Sequence, residues 1–223
     1  MPKIKSENTD LACLKKHISK AILHANKIDV TKIADLKFKK TMPWPYPQEG
    51  TCNFIEFINQ LFTTVASIKA IEYLKAEKDD WVMNLGTTPG RDLTVIKNKQ
   101  NIIAEIFAVT DPQSNNKLKK EILSLATLSK EEKEEDKRYA FFILSEDKFP
   151  KDKNDTKSVI SWTTKQSSNG NIFIKFKDKS FDYDGNENMA IWTAICQSDT
   201  LIKKEIEVNI ICWSSENCLS EFL

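Results

Sequence analysis

The stretch from Asn53 to Lys78, NFIEFINQLFTTVASIKAIEYLKAEK, limits the possible folds more than any other part of the chain. Between Glu56 and Lys69 it holds no charged residue at all. Apolar residues recur at helical spacing: Phe54, Ile58, Leu61, Val65, Ile68 and Ile71 form one stripe, and Phe57, Phe62 and Ala66 widen it. Glu56, Asn59, Gln60, Thr63 and Ser67 remain as a narrow polar face. A helix this apolar belongs at the centre of a fold, with other elements packed around most of its girth. Asn53 suits the N-cap, and Glu56 three residues later completes a capping box. Glu56 therefore either caps the helix or brings one carboxylate into the interior as part of a site.

With 223 residues the chain can bury a substantial core without disulfide staples. Its five cysteines (Cys13, Cys52, Cys196, Cys212 and Cys218) are odd in number and scattered, which points to reduced interior thiols. The opening MPKIKSENTD lacks the apolar centre of a signal peptide, and no apolar run reaches the roughly 18 residues of a membrane span. The expectation is a cytoplasmic protein with no membrane partner. Net charge is +1, so the overall field gives no sign of nucleic-acid binding. Residues 1 to 40 are locally basic, with ten lysines against four acids.

Residues 1–48 read as a basic helical arm followed by a proline-rich connector, MPWPYPQEG, of extended character. Leu11, Leu14, Ile18, Ile22 and Leu23 set the first helix, and a short second helix is expected around Val30 to Phe38. Cys13, His17 and His24 share a face of the first helix, where packed or surface roles outweigh metal ligation. Residues 49–150 form an α/β core. After the glycine-bearing loop NLGTTPGRD come two strands, LTVIK and NIIAEIFAV, joined by a turn at Asn98 to Gln100. Asp111 with Pro112, or Ser114, then starts a helix through Leu118, Ile122, Leu125 and Leu128. The charge run SKEEKEEDKR reads as its solvated end and the following loop, and YAFFILSE as a buried strand. Residues 151–223 add strands to the same domain, with an Asp184–Gly185 hairpin turn among them. The order predicts an α/β protein with a mixed central sheet flanked by helices.

Side chains alternate across a strand, so Ile103, Glu105 and Phe107 share one face of NIIAEIFAV, with Ile102, Ala104, Ile106 and Ala108 on the other. Glu105 thus lies in an apolar strand, where a carboxylate needs a lysine, an arginine or a metal close by. A hairpin would bring Asp92 beside it, and converging carboxylates suit Mg²⁺ or Mn²⁺.

PGRD, a strand, a turn and then AEIF resembles a diverged PD-(D/E)xK motif of the restriction endonuclease-like nucleases, over roughly residues 50 to 145. The resemblance implies a restriction endonuclease-like core, with Asp92, Glu105 and the carbonyl of Ile106 holding Mg²⁺ or Mn²⁺ and Glu56 as a third acid. It also implies hydrolysis of phosphodiester bonds in DNA, with RNA as an alternative substrate, by a type II restriction or defence enzyme acting as a homodimer. Phe107 stands where the family has its lysine, so either the site is silent or the cation comes from elsewhere. Some relatives in that superfamily draw it from the following helix, which here offers SNNKLKK. Lys117 flanks the apolar stripe of that helix, whereas Lys120 faces away from it. Lys117 is thus expected to activate water, Ser114, Asn116, Lys119 and Lys120 to contact substrate, and Arg91 to clamp its backbone. Two other readings stand beside the enzyme. One is a catalytically silent nucleic-acid-binding or assembly protein of the same fold; in the other, Asp92 is a turn residue and Glu105 pairs with a core cation.

Overall fold

In this computed structural model the described residues are 3–5, 10–29, 31, 33–77, 79–84, 91–108, 117–126, 133, 136–145, 173–177, 189–197 and 204–213. They fall into two compact units, with the division between Val95 and Ile96.

The first unit is organised on α3, Phe54–Tyr73. Asn53 caps it, its side chain accepting the backbone N–H of Glu56 at 2.9 Å. The buried stripe runs through Phe57, Leu61, Val65, Ile68 and Ile71. Thr64 and Ser67 are buried as well, so the polar face is narrower than the sequence pattern predicts. Their hydroxyls are satisfied by donating to the carbonyls of Gln60 and Thr63, one turn back. Helix α1, Leu11–Ala25, is capped by Asp10 and packs on α3 through Leu14, Ile18, Ala21 and Ile22. Leu23 points to solvent. Lys15 of α1 is ion-paired with Glu72 of α3. Helix α2 is short, Ile33–Phe38.

The proline-rich segment is more than a connector. Met42–Pro43 (β2) pairs antiparallel with Thr51–Cys52 (β3), and Met42, Tyr46 and Cys52 are core residues. Gly50, at φ 93°, takes the left-handed conformation this hairpin needs. Two strands absent from the sequence reading complete the unit. Lys3–Lys5 (β1) pairs antiparallel with Trp81–Asn84 (β4), and β4 with Leu93–Lys97 (β5) in the register Trp81↔Val95 and Met83↔Leu93.

The second unit holds a mixed sheet. Gln100–Ala108 (β6) runs parallel to Lys137–Ser145 (β7), and β7 parallel to Lys204–Trp213 (β10). Met189–Gln197 (β9) and Phe173–Lys177 (β8) then join antiparallel, in the spatial order β6-β7-β10-β9-β8. Helix α4, Lys117–Ala126, covers one face. Leu118, Ile122 and Leu125 pack there against Ile103, Phe107, Ala140, Phe142, Val208 and Ile210. The parallel β6–β7 pair linked through a helix is the arrangement that buries both faces of a strand, and every residue from Ile102 to Phe107 is buried.

The charge run before β7 is not wholly solvated. Asp136 and Arg138, at its end, are only 5% and 4% exposed. Arg138 donates to the carbonyls of Asp136 at 2.6 Å and Lys133 at 2.8 Å, and the Asp136 carboxylate accepts the backbone N–H of Lys133 at 2.7 Å. Burial is tolerated because each charge meets backbone partners. The predicted turn at Asp184–Gly185 lies outside the described residues.

Candidate functional site

Strand β6 fixes Glu105 by alternation alone: Ile103, Glu105 and Phe107 face α4, and the register places Arg138, Ala140 and Phe142 of β7 beside them on the same face. Glu105 is 6% exposed, and the Ser124 hydroxyl of α4 donates to its Oε1 at 3.2 Å. Phe107, 4% exposed, is stacked on Phe142 with ring centroids 5.3 Å apart and an interplanar angle of 3°. A lysine at that position would have to place an ammonium inside this aromatic stack, at heavy desolvation cost.

A lysine of the following helix reaches this ring. Lys117, the first residue of α4, sets its Nζ 5.8 Å from the centroid of the Phe107 ring, within cation–π range. The same Nζ is ion-paired with Glu121, one turn along the helix. Lys117, Glu121 and Ser124 therefore form a polar stripe beside the apolar stripe Leu118, Ile122 and Leu125. Its Ser124 end meets Glu105 and its Lys117 end meets Phe107, so α4 runs opposite to β6 along this face.

Two members of this assembly escaped the sequence reading. Glu121 carried no motif signal beyond its spacing of four from Lys117. Arg138 sat in a charge run that read as solvent-facing, yet it is a buried guanidinium on the face that bears the buried Glu105. Alternation counted back from YAFFIL would have put Arg138 on the Ala140–Phe142 face.

The remaining expected site residues are distributed as follows. Lys120 is solvent-exposed. Ile106 is on β6, its side chain buried on the face opposite to Glu105. Ser114, Asn116 and the side chain of Lys119 lie outside the described residues. Arg91, Asp92 and Glu56 belong to the first unit. The carbonyl of Asp92 accepts the backbone N–H of Asn84 at 2.8 Å, and the Asn84 side-chain amide donates to the carbonyl of Arg91. Asn84 thus fixes the backbone of both residues, whose side chains are half-buried. Glu56 sits at the start of α3 near Tyr46 and Cys52. Burial pushes the Cys52 thiol up to about 11, with the Glu56 charge adding to the effect. The Tyr46 phenol is likewise pushed up, by burial first and then by Cys52 and Glu56.

His17 is held below its ordinary value by burial and by Lys20 and Lys16, whereas His24 is exposed. Among the described residues no group of three or more His, Cys, Asp or Glu side chains converges as a metal cluster would. No described helix is long and apolar enough to cross a membrane. Comparison with protein-family profiles, with curated proteins and with solved structures gave no match.

Proposed function

We propose that the protein is a metal-dependent endonuclease that hydrolyses phosphodiester bonds of DNA, a restriction or defence enzyme built on a diverged restriction endonuclease-like core. The observation that supports this most is the Lys117 ammonium over the Phe107 ring. It provides a cation at the second residue after a buried strand carboxylate, where the PD-(D/E)xK pattern has its lysine.

The donor chemistry at Glu105 fits a hard cation: a carboxylate in a dry strand, followed by the Ile106 carbonyl, offers oxygen and no sulfur or imidazole. In this reading Glu105 and Ile106 would hold Mg²⁺ or Mn²⁺, with Asp92 as the second acid on the strength of the resemblance alone. The ion, when bound, supplies Lewis-acid polarisation of the scissile phosphate. Ser124 orients Glu105 by donating to one carboxylate oxygen. Lys117 orients the attacking water and offsets charge that develops on the phosphate. Arg91 and the lysines of α4 are the substrate contacts, and a second copy of the chain would allow both strands to be cut.

A second reading has an observation of its own. Arg138 lies buried on the Glu105 face, and Lys117 is already paired with Glu121. Both are what a silent nucleic-acid-binding or assembly protein would retain if its acid were held by structural cations.

Incubation with supercoiled plasmid and with single-stranded RNA, with Mg²⁺, Mn²⁺ or EDTA, separates the two. Discrete DNA fragments in Mg²⁺ that vanish in EDTA support a site-specific nuclease, and smears a non-specific one. Intact nucleic acid under every condition, by a folded protein, rules out cleavage.

A further inference from the structure

Lys117 opens α4, where the partial positive charge of the helix N-terminus opposes an ammonium. Its partner Glu121 lies four residues toward the C-terminus, the less favourable order for a helical Lys–Glu pair. The pair is therefore poorly placed to stabilise the helix. It also differs from an ordinary surface pair, in which both groups stay in water. The Lys117 side chain is 46% exposed but that of Glu121 only 14%, so the carboxylate is the inner, fixed member and the ammonium the outer one. Glu121 stands midway along the stripe whose ends touch Glu105, through Ser124, and Phe107, through Lys117. A flexible four-carbon stem reaching over an aromatic ring has many rotamers, and one cation–π contact is a weak restraint on them. A half-buried carboxylate on the same helix face removes most of that freedom.

We propose that Glu121 is a positioning residue: its carboxylate holds the Lys117 ammonium over Phe107, on the Glu105 face of β6, before any substrate arrives. What the ammonium then does rests on the nuclease reading; the restraint on it does not.

Glu121→Gln removes the charge and keeps the shape. Limited acetylation with acetic anhydride, read by peptide mass spectrometry, reports the freedom of Lys117, with Lys120 of the same helix as internal control. Lys117 labelling is expected to rise several-fold in E121Q with Lys120 unchanged. Under the nuclease reading, kcat for Mg²⁺-dependent plasmid cleavage falls about tenfold at constant KM, as expected for loss of an interaction that matters in the transition state. Glu121→Asp, with a shorter reach, gives intermediate labelling and stands in should E121Q fail to fold. Equal Lys117 labelling in wild type and variant overturns the proposal; a cleavage defect confined to KM counts against the role of the ammonium under the nuclease reading, not against the restraint. A wild-type protein that cleaves nothing sinks the nuclease reading instead, while the labelling ratio still decides whether Glu121 holds Lys117.

Discussion

The ammonium of Lys117 stands 5.8 Å from the centroid of the Phe107 ring, which is itself stacked with Phe142 at 5.3 Å. Ten positions apart in sequence, the two residues meet because α4 folds back over β6. If this cation does the work proposed for it, Lys117→Met should lower Mg²⁺-dependent cleavage by at least about a hundredfold, in the range of a lost general acid–base group. Its melting temperature should stay close to wild type, since a half-exposed lysine contributes little to stability. Plasmid nicking and a thermal melt on the same preparation check both halves.

Phe107 should matter to the fold before it matters to any reaction. It is nearly inaccessible and stacked, so Phe107→Ala is expected to cost about 3–5 kcal/mol, as large-to-small core changes do. Urea denaturation would show it, and a cost below about 1 kcal/mol would mean that this part of the core is not packed as described.

Glu105→Gln tests the carboxylate by itself. The amide keeps the size of the side chain and an oxygen for the Ser124 hydroxyl, so the protein should fold, while Mg²⁺-dependent cleavage disappears. Ser124→Ala leaves Glu105 in place without that donor and should destabilise by about 1 kcal/mol, the net worth of one hydrogen bond. Retention of full cleavage by Glu105→Gln would remove Glu105 from the chemistry.

The turn between β5 and β6 stores strain. Asn98 and Lys99 both have positive φ, 52° and 64°. Asn tolerates that region and Lys does not, so Lys99→Gly should raise stability by about 1 kcal/mol. An unchanged or lowered melting temperature would contradict the turn geometry.

Stability at high pH should depend on Cys52. Its folded-state thiol is pushed from 9.0 up to about 11 by burial and by Glu56, so folding favours the neutral form. That contribution is complete below pH 9 and is lost as pH rises from 9 through 11. A Cys52→Ala protein should therefore show a shallower decline across the same window in denaturation curves. Identical slopes would show that the thiol titrates alike in both states.

Several elements were legible from local pattern because their causes are local. The Asn53 cap, the apolar girth of α3, the alternation of β6 and the stripe of α4 need only residues within a few turns of each other. Strands β1 and β4 were not legible: three and four residues are too short to show a period, and their partners lie far off in sequence. The proline-rich segment misled for a related reason. Its composition signals extended backbone, and whether extended backbone becomes a linker or a hairpin depends on what it meets.

The sequence by itself determined that a carboxylate at position 105 would lie in a dry strand and would need compensation, because alternation and hydropathy suffice for that. What surrounds it was decided only by the tertiary structure. Strand order puts Arg138 on the same face, and the path of α4 brings the Ser124 hydroxyl onto Glu105, with the Lys117–Glu121 pair further along the same helix stripe. Those contacts join segments through parallel pairing and helix packing, whose register depends on the burial of the whole face and cannot be reached from any one segment.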